Sequence, residues 1–165
     1  MRSFAAAATA LCLAALPVSA LQAQAAPVLG VADPEPLFHD KDARLDRNKQ
    51  AAYHIVKDLL EAGQWGQADK WLTERYIQHN PLAASGRAAV VDFFTKVMKV
   101  EPKPVPARMA TKIVAVVAQG DYVIVVYPRE MNAKDPAKAY STTWFDMWRF
   151  VDGKADEHWD PSTKN

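Results

Sequence analysis

Cysteine is almost absent: the 165 residues contain one, Cys12. A single thiol closes no internal disulfide, and without a second cysteine there is no thiolate zinc site. Glycine is scarce as well, at six residues, and none is arranged as a phosphate-cradling loop or a dinucleotide fingerprint. The chain has no G-x-S-x-G elbow and no H-E-x-x-H helix, so serine hydrolysis and metalloprotease chemistry lack their machinery. Lysine and arginine form no run and the formal net charge is only +1, which argues against nucleic acid as a partner and against an anionic membrane surface. What remains is 50% hydrophobic and 24% charged, the balance of one folded domain with a buried core.

Residues 1–25 read as a cleavable signal peptide: Arg2 supplies a positive start, "FAAAATALCLAALPVSAL" an apolar stretch, and "AQA" at 23–25 the small residues a signal peptidase prefers. Pro17 and the shortness of the run argue against a membrane anchor, and Leu11 before Cys12 against a lipoprotein. The expected location is therefore periplasmic or secreted, with no membrane partner once the leader is gone. Cleavage would also remove Cys12, leaving the mature chain without a cysteine nucleophile.

Residues 26–41, with three prolines in "APVLGVADPEPLFHD", read as a flexible arm, and residues 42–165 as one domain. Leu45, Ala52, Ile55, Val56, Leu59 and Leu60 recur at helical spacing, with Gly63 placed to end the helix. A second helix is expected over "GQADKWLTERY", where Trp65, Ala68, Trp71, Leu72 and Tyr76 form a stripe. A third follows the Asn80-Pro81 turn, with Ser85 as its cap and Ala89, Val90, Phe93, Phe94, Val97 and Met98 on its apolar face. The prolines of "EPKPVP" then break the helical pattern, and "ATKIVAVVA", "YVIVVY", "YSTTWFDMWRFV" and the segment after Asp152-Gly153 read as strands. Three helices followed by four antiparallel strands give an α+β domain with helices on one face of the sheet.

"YIQHNP" and "FDMWRFVDGKADEHWD" give the chain a family likeness. Over about residues 45–160 it resembles the SnoaL-like polyketide cyclases of the nuclear-transport-factor-2-like superfamily, in particular secreted members described as predicted aldol-condensation enzymes. The resemblance implies a cone-shaped barrel in which a curved antiparallel sheet wraps around three N-terminal helices and encloses an apolar pocket. It also implies dimerisation through the sheet, and acid–base catalysis by a carboxylate with no metal and no organic cofactor. The catalytic Asp would fall on Asp160. The position of a cyclase histidine is taken by Asp146, so proton relay there does not carry over. The short tail "PSTKN" implies that part of the pocket lid of related chains is missing.

Independently of any family, the question is whether the titratable groups near the C-terminus meet. A two-residue type I′ turn at Asp152-Gly153 pairs Val151 with Lys154 and sets Asp146 against Trp159, scattering the polar groups. A type I turn over Val151-Asp152, closed by a left-handed Gly153, pairs Phe150 with Lys154, Asp146 with His158 and Trp144 with Asp160. The second register is preferred because Val151 suits a type I turn and because it lets the charges share a face with Trp144, Trp148 and Phe150. Arg149 then lies diagonal to Glu157 on the opposite face, as a surface ion pair.

An apolar hollow favours the neutral carboxylic acid, which is how general acid–base groups are brought toward neutral pH. Asp160 is the candidate base for a proton alpha to a carbonyl. His158 or His79 would donate to the developing enolate oxygen, and Asp146 would hold the His158 tautomer. Tyr76, Asn80, Trp144 and Trp148 would position the ligand. A two-histidine, one-carboxylate metal centre from His79, His158 and Asp160 lacks a suitably spaced second histidine, so no metal is expected. The expected partner is a small hydrophobic molecule, with a second copy of the chain as a possible homodimer partner. The competing reading is a non-catalytic ligand-binding or dimerisation module in which the same cluster is structural.

Overall fold

The computed structural model describes residues 26–135 and 137–164; the expected signal peptide lies outside the described residues. The first helix, α1 (Ala43–His54), is capped by Asp42, whose carboxylate accepts from the amides of Arg44 and Leu45 at 2.9 and 3.0 Å. It runs on through Ile55–Glu61 in wider turns, with the amide of Ala62 reaching back to the carbonyl of Lys57, and stops at Gly63 in the left-handed region at φ +69°. A short α2 (Ala68–Trp71) leads straight into β1 (Leu72–Gln78). Then come α3 (Arg87–Asp92), again extended by wide turns over Phe93–Val97, and the strands β2 (Ala115–Gln119), β3 (Tyr122–Met131), β4 (Tyr140–Val151) and β5 (Lys154–Trp159).

The five strands form one curved sheet in the order β1-β5-β4-β3-β2. The fold is α+β as expected, an open cone whose sheet does not close into a barrel. The sheet is mixed, because β1 runs parallel to β5 while the other pairs are antiparallel. The expected helix over residues 66–76 is thus corrected in its second half. Leu72 and Tyr76, four apart, share a face in a strand as well as in a helix, so their stripe fits both periods. Pairing with β5 decides for the strand.

The arm expected over residues 26–41 is packed against the domain. The amides of Val28 and Val31 donate to Ser141 Oγ and the Ile113 carbonyl at 2.7 and 2.8 Å, and Phe38 is fully buried edge-on against Tyr53. The extra apolar burial outweighs the proline-rich composition. Ser85 does not cap α3: its hydroxyl accepts from the amide of Gln78, closing the loop between β1 and the helix instead. Only the first half of the α3 stripe is inside. Val90 is buried, whereas Val97 and Met98 are 67% and 57% exposed.

The hairpin between β4 and β5 takes the turn that was not preferred. Asp152 and Gly153 have φ of +49° and +77°, and Val151 pairs with Lys154, as a two-residue type I′ turn requires. One step later the register shifts. Phe150 pairs with Ala155 but Arg149 pairs with Glu157, leaving Asp156 as an extra residue, a bulge. Beyond it Trp148 faces His158 and Met147 faces Trp159, neither of the two registers considered from sequence. The bulge reverses which side of the sheet every later residue occupies, so His158 turns inward and Glu157 outward.

Asp156 is itself buried and anchors the bulge. It accepts from Thr73 Oγ1 at 2.8 Å and from Arg75 Nε at 2.9 and 3.0 Å, and it also pairs with Arg149. The backbone of β1 bows out opposite it, between the pairs Leu72–Ala155 and Ile77–Glu157. Hydrogen bonding from Arg75, with Thr73 and the charge of Arg149, holds the Asp156 carboxyl below its ordinary range against the opposing effect of burial. Glu157 joins the same outer network through Arg149 Nε at 2.7 Å and His79 Nε2 at 3.0 Å, so it belongs to a cluster and not to a lone surface pair.

A carboxyl whose proton affinity is lowered by folding contributes stability above its unfolded pKa, about 3.9, and loses it as pH falls through the lower folded value. Replacing Asp156→Asn is expected to cost about 2 kcal/mol at neutral pH, since Arg75 is half exposed and keeps solvent contacts. The loss should shrink as pH falls below about 4. Urea unfolding of both proteins across pH 3 to 7 checks this; a loss that is constant with pH would contradict it.

Candidate active site

Helices and the concave face of the sheet enclose a cavity of about 370 Å³. Its walls are apolar: Ile55 and Leu60 come from the widened end of the first helix, Phe93 and Phe94 from the widened end of the third, and Trp65, Leu72 and Val90 complete them. Both wide-turn segments thus line the hollow, where the looser helical pitch makes room for it. One wall is polar, made by Tyr76 and Gln78 of β1, Asn80 just beyond it, Asp146 of β4, and His158 and Asp160 at the end of β5. Trp144 and Trp148 flank these groups. Among the described residues that line the cavity there is no lysine or arginine.

His158 is the hub. Its ring stacks between Trp148 and Tyr76, with centroids 5.4 and 6.3 Å away. Its Nδ1 lies 2.8 Å from Gln78 Oε1 and its Nε2 3.2 Å from Asp146 Oδ1. Trp144 Nε1 donates to the same Asp146 oxygen at 3.3 Å. Trp148 Nε1 donates to the hydroxyl of Tyr76 at 3.0 Å. Asp160 is held from both sides: Asn80 Nδ2 donates to Oδ2 at 2.6 Å and the amide of Ser162 to Oδ1 at 2.8 Å. Asn80 is fixed in turn by the amide of Leu82, which donates to its Oδ1 at 2.7 Å. One ligand-capable atom from each of Asp146, His158 and Asp160 falls within a cluster 4.8 Å across.

Of the residues singled out from sequence, Asp146, His158, Asp160, Tyr76, Asn80, Trp144 and Trp148 all line this one cavity. His79 does not. It points to the convex side, stacks on Trp159 at 4.4 Å and pairs with Glu157, so the expectation that it meets the ligand is corrected. The alternation of a strand accounts for this, since His79 follows Gln78, which faces inward. Two residues were missed. Gln78 contacts the imidazole, and Ser162 lines the cavity from the short tail, which closes this end of the hollow. Gln78 carried no signal while its segment read as the turn after a helix; once β1 is a strand, its even spacing from Tyr76 places it inside.

The profile of the SnoaL-like domain family matches residues 54–158, well over half of the chain and most of the cavity lining, with Asp160 and Ser162 just beyond its end. The chain belongs to the SnoaL-like domain family. No curated protein matches this SnoaL-like chain significantly. Among solved structures, a protein described as a SnoaL-like polyketide cyclase from Jannaschia sp. CCS1 is similar at 15% identity, covering 74% of this chain and 91% of that one, with a TM-score of 0.53. A protein described as a polyketide cyclase from Acidithiobacillus ferrooxidans is similar at 15% identity over 69% of this chain and 86% of that one, with a TM-score of 0.51. At such identities the likeness speaks for the SnoaL-like fold alone.

Burial pushes the phenol of Tyr76 far above its ordinary range, more than the hydrogen bond from Trp148 lowers it. Tyr127 is raised in the same way by burial and by the charge of nearby Asp146. Both therefore hold their protons to higher pH than an ordinary phenol. A group raised by folding contributes stability below its unfolded pKa, about 10, and loses it as pH climbs toward the folded value. The phenolate absorbance of the protein is therefore expected to show a late component coincident with alkaline unfolding, reduced in Tyr76→Phe. Simultaneous titration of all tyrosines before the far-ultraviolet circular dichroism changes would contradict it.

Proposed function

We propose that the cavity binds a small hydrophobic carbonyl compound and that Asp160, His158 and Asp146 move a proton alpha to the carbonyl, chemistry of the aldol, cyclase or isomerase kind. The observation that carries this reading is the convergence of two carboxylates and an imidazole on one wall of an otherwise apolar cavity. Asp160 accepts the alpha proton as the C–H bond breaks, and the electron pair moves to the carbonyl oxygen. With hydrogen on both ring nitrogens, Nδ1 held by Gln78 and Nε2 beside Asp146, His158 donates from Nε2 to that oxygen as it becomes an enolate. The aromatic walls exclude water and align the substrate.

A second reading, a ligand-binding module without turnover, is favoured by one specific feature: both oxygens of Asp160 already accept hydrogen bonds, as a carboxylate placed for structure would. Export through residues 1–25 into the periplasm or medium is part of the proposal and rests on the composition of that segment. A homodimer is proposed as well. Val117, Tyr122, Phe145 and Val151 are exposed on the convex face of the sheet, an apolar surface that a second copy would cover.

Native mass spectrometry of protein purified from its own host should reveal the retained compound. With that compound, solvent deuterium exchange at the alpha carbon is expected to fall about 10²- to 10⁴-fold in Asp160→Asn while affinity changes little. Equal exchange in the variant and the wild type would leave the binding module as the correct reading. Light scattering during size exclusion should give twice the chain mass, falling to one chain in Phe145→Glu; a monomeric wild type would remove the dimer.

A further inference from the structure

The polar wall has an electrostatic problem. Gln78 presents its carbonyl oxygen to His158 Nδ1 at 2.8 Å, so Nδ1 carries a hydrogen and donates. In the neutral ring the lone pair of Nε2 then points at Asp146 Oδ1, 3.2 Å away. Two acceptors facing each other need either a proton on Nε2 or a metal cation between them. Asp160 adds a third acceptor within the same 4.8 Å cluster, and no lysine or arginine lines the cavity among the described residues. Beside Asp146, the buried hydroxyl of Tyr127 faces the same carboxylate and shares with it a side hollow of about 200 Å³.

We propose that Asp146, His158 and Asp160 form a binding site for one divalent transition-metal ion. The spacing between His158 and Asp146 suits it, and a shift of Asp160 by a fraction of an ångström would bring the third ligand of the 4.8 Å cluster within reach. Two ligands about 2.1 Å from an ion are about 3.0 Å apart at a right angle and about 3.4 Å apart at the tetrahedral angle, and the observed 3.2 Å between Nε2 and Oδ1 falls between these. The surroundings suit it as well. An imidazole that ligates through one nitrogen normally donates from the other to a carbonyl, as His158 does to Gln78, and ligating carboxylates are themselves hydrogen-bonded. Trp144 donates to Asp146, and Asn80 and the Ser162 amide donate to Asp160, each carboxylate oxygen keeping a further lone pair for a metal. One nitrogen and two oxygen ligands select ions of the zinc, manganese or ferrous type over magnesium or calcium. The donor set differs from the one weighed from sequence: Asp146 replaces His79.

This inference concerns the same wall as the proposed proton transfer, and the rival arrangement is an imidazolium bridging Gln78 and Asp146 with no metal. The test uses the chain lacking residues 1–25, stripped with a chelator, and isothermal titration with zinc and with manganese chloride, alongside visible absorption on adding cobalt(II). One ion per chain is expected, with a dissociation constant on the order of micromolar or tighter, and cobalt bands of low coordination number. Asp146→Asn and His158→Asn should each abolish saturable binding. Gln78→Leu, which leaves all three ligands, should weaken it about 10- to 100-fold, while Glu157→Gln on the convex face should not change it. Circular dichroism confirms that each variant is folded. No saturable binding by the folded wild type, or binding that persists in Asp146→Asn and His158→Asn, overturns the site. If the ion is absent but alpha-carbon exchange still depends on Asp160, the metal site falls and the proton chemistry stands. If the ion binds as described but exchange is indifferent to Asp160→Asn, the reverse holds.

Discussion

The carboxylate of Asp156 is the constraint from which the rest of the site follows. It is the extra residue of a bulge, buried beneath Thr73, Arg75 and Arg149, and those three partners draw the bowed part of β1 and the straight run of β4 onto the same point of β5. A bulge costs a ladder hydrogen bond and strains the pairing locally. A charged residue held by two guanidinium groups stabilises that irregularity in a way an apolar residue could not. Without it the type I′ register would continue, and His158 would face the convex side, away from Asp146.

Because the bulge flips the later residues, one short strand serves two surfaces with opposite chemistry. Outward, Glu157 and Trp159 join Arg149, Arg75 and His79 in a polar layer. Inward, Ala155 packs in the core, and His158 and Asp160 meet Asp146 inside an aromatic cavity. Charges that would be costly to bury together are thus divided by two residues of sequence and one bulge. The parallel pairing of β1 with β5 adds Tyr76 and Gln78 to the inward set, so three strands contribute to the one polar wall.

Much of the fold was legible in the sequence. The first and third helices, the four C-terminal strands, the α+β class and the family likeness all came from hydrophobic period, β-branched runs and the "FDMWRFVDGKADEHWD" string. The grouping of Asp146, His158 and Asp160 on one face was also anticipated, although through a register that the chain does not adopt. Phe38 shows where composition misled: three prolines in residues 26–40 looked like a flexible arm, yet one fully buried ring and a few backbone hydrogen bonds tie that segment down. Tyr76 shows where periodicity misled, since a spacing of four belongs to both a helix and a strand.

What the sequence determined by itself is local: which segments bury an apolar face, where Asp152-Gly153 must turn, and that the only histidine followed by Trp-Asp lies at the end of a strand. What only the tertiary structure decided is parity and partnership. Whether His158 looks inward depends on a single unpaired residue, and whether Gln78 touches it depends on a parallel strand contributed from eighty positions earlier. Both are settled by the burial of the Asp156 carboxylate among side chains distant in sequence, a balance of desolvation against paired charge that no local pattern encodes.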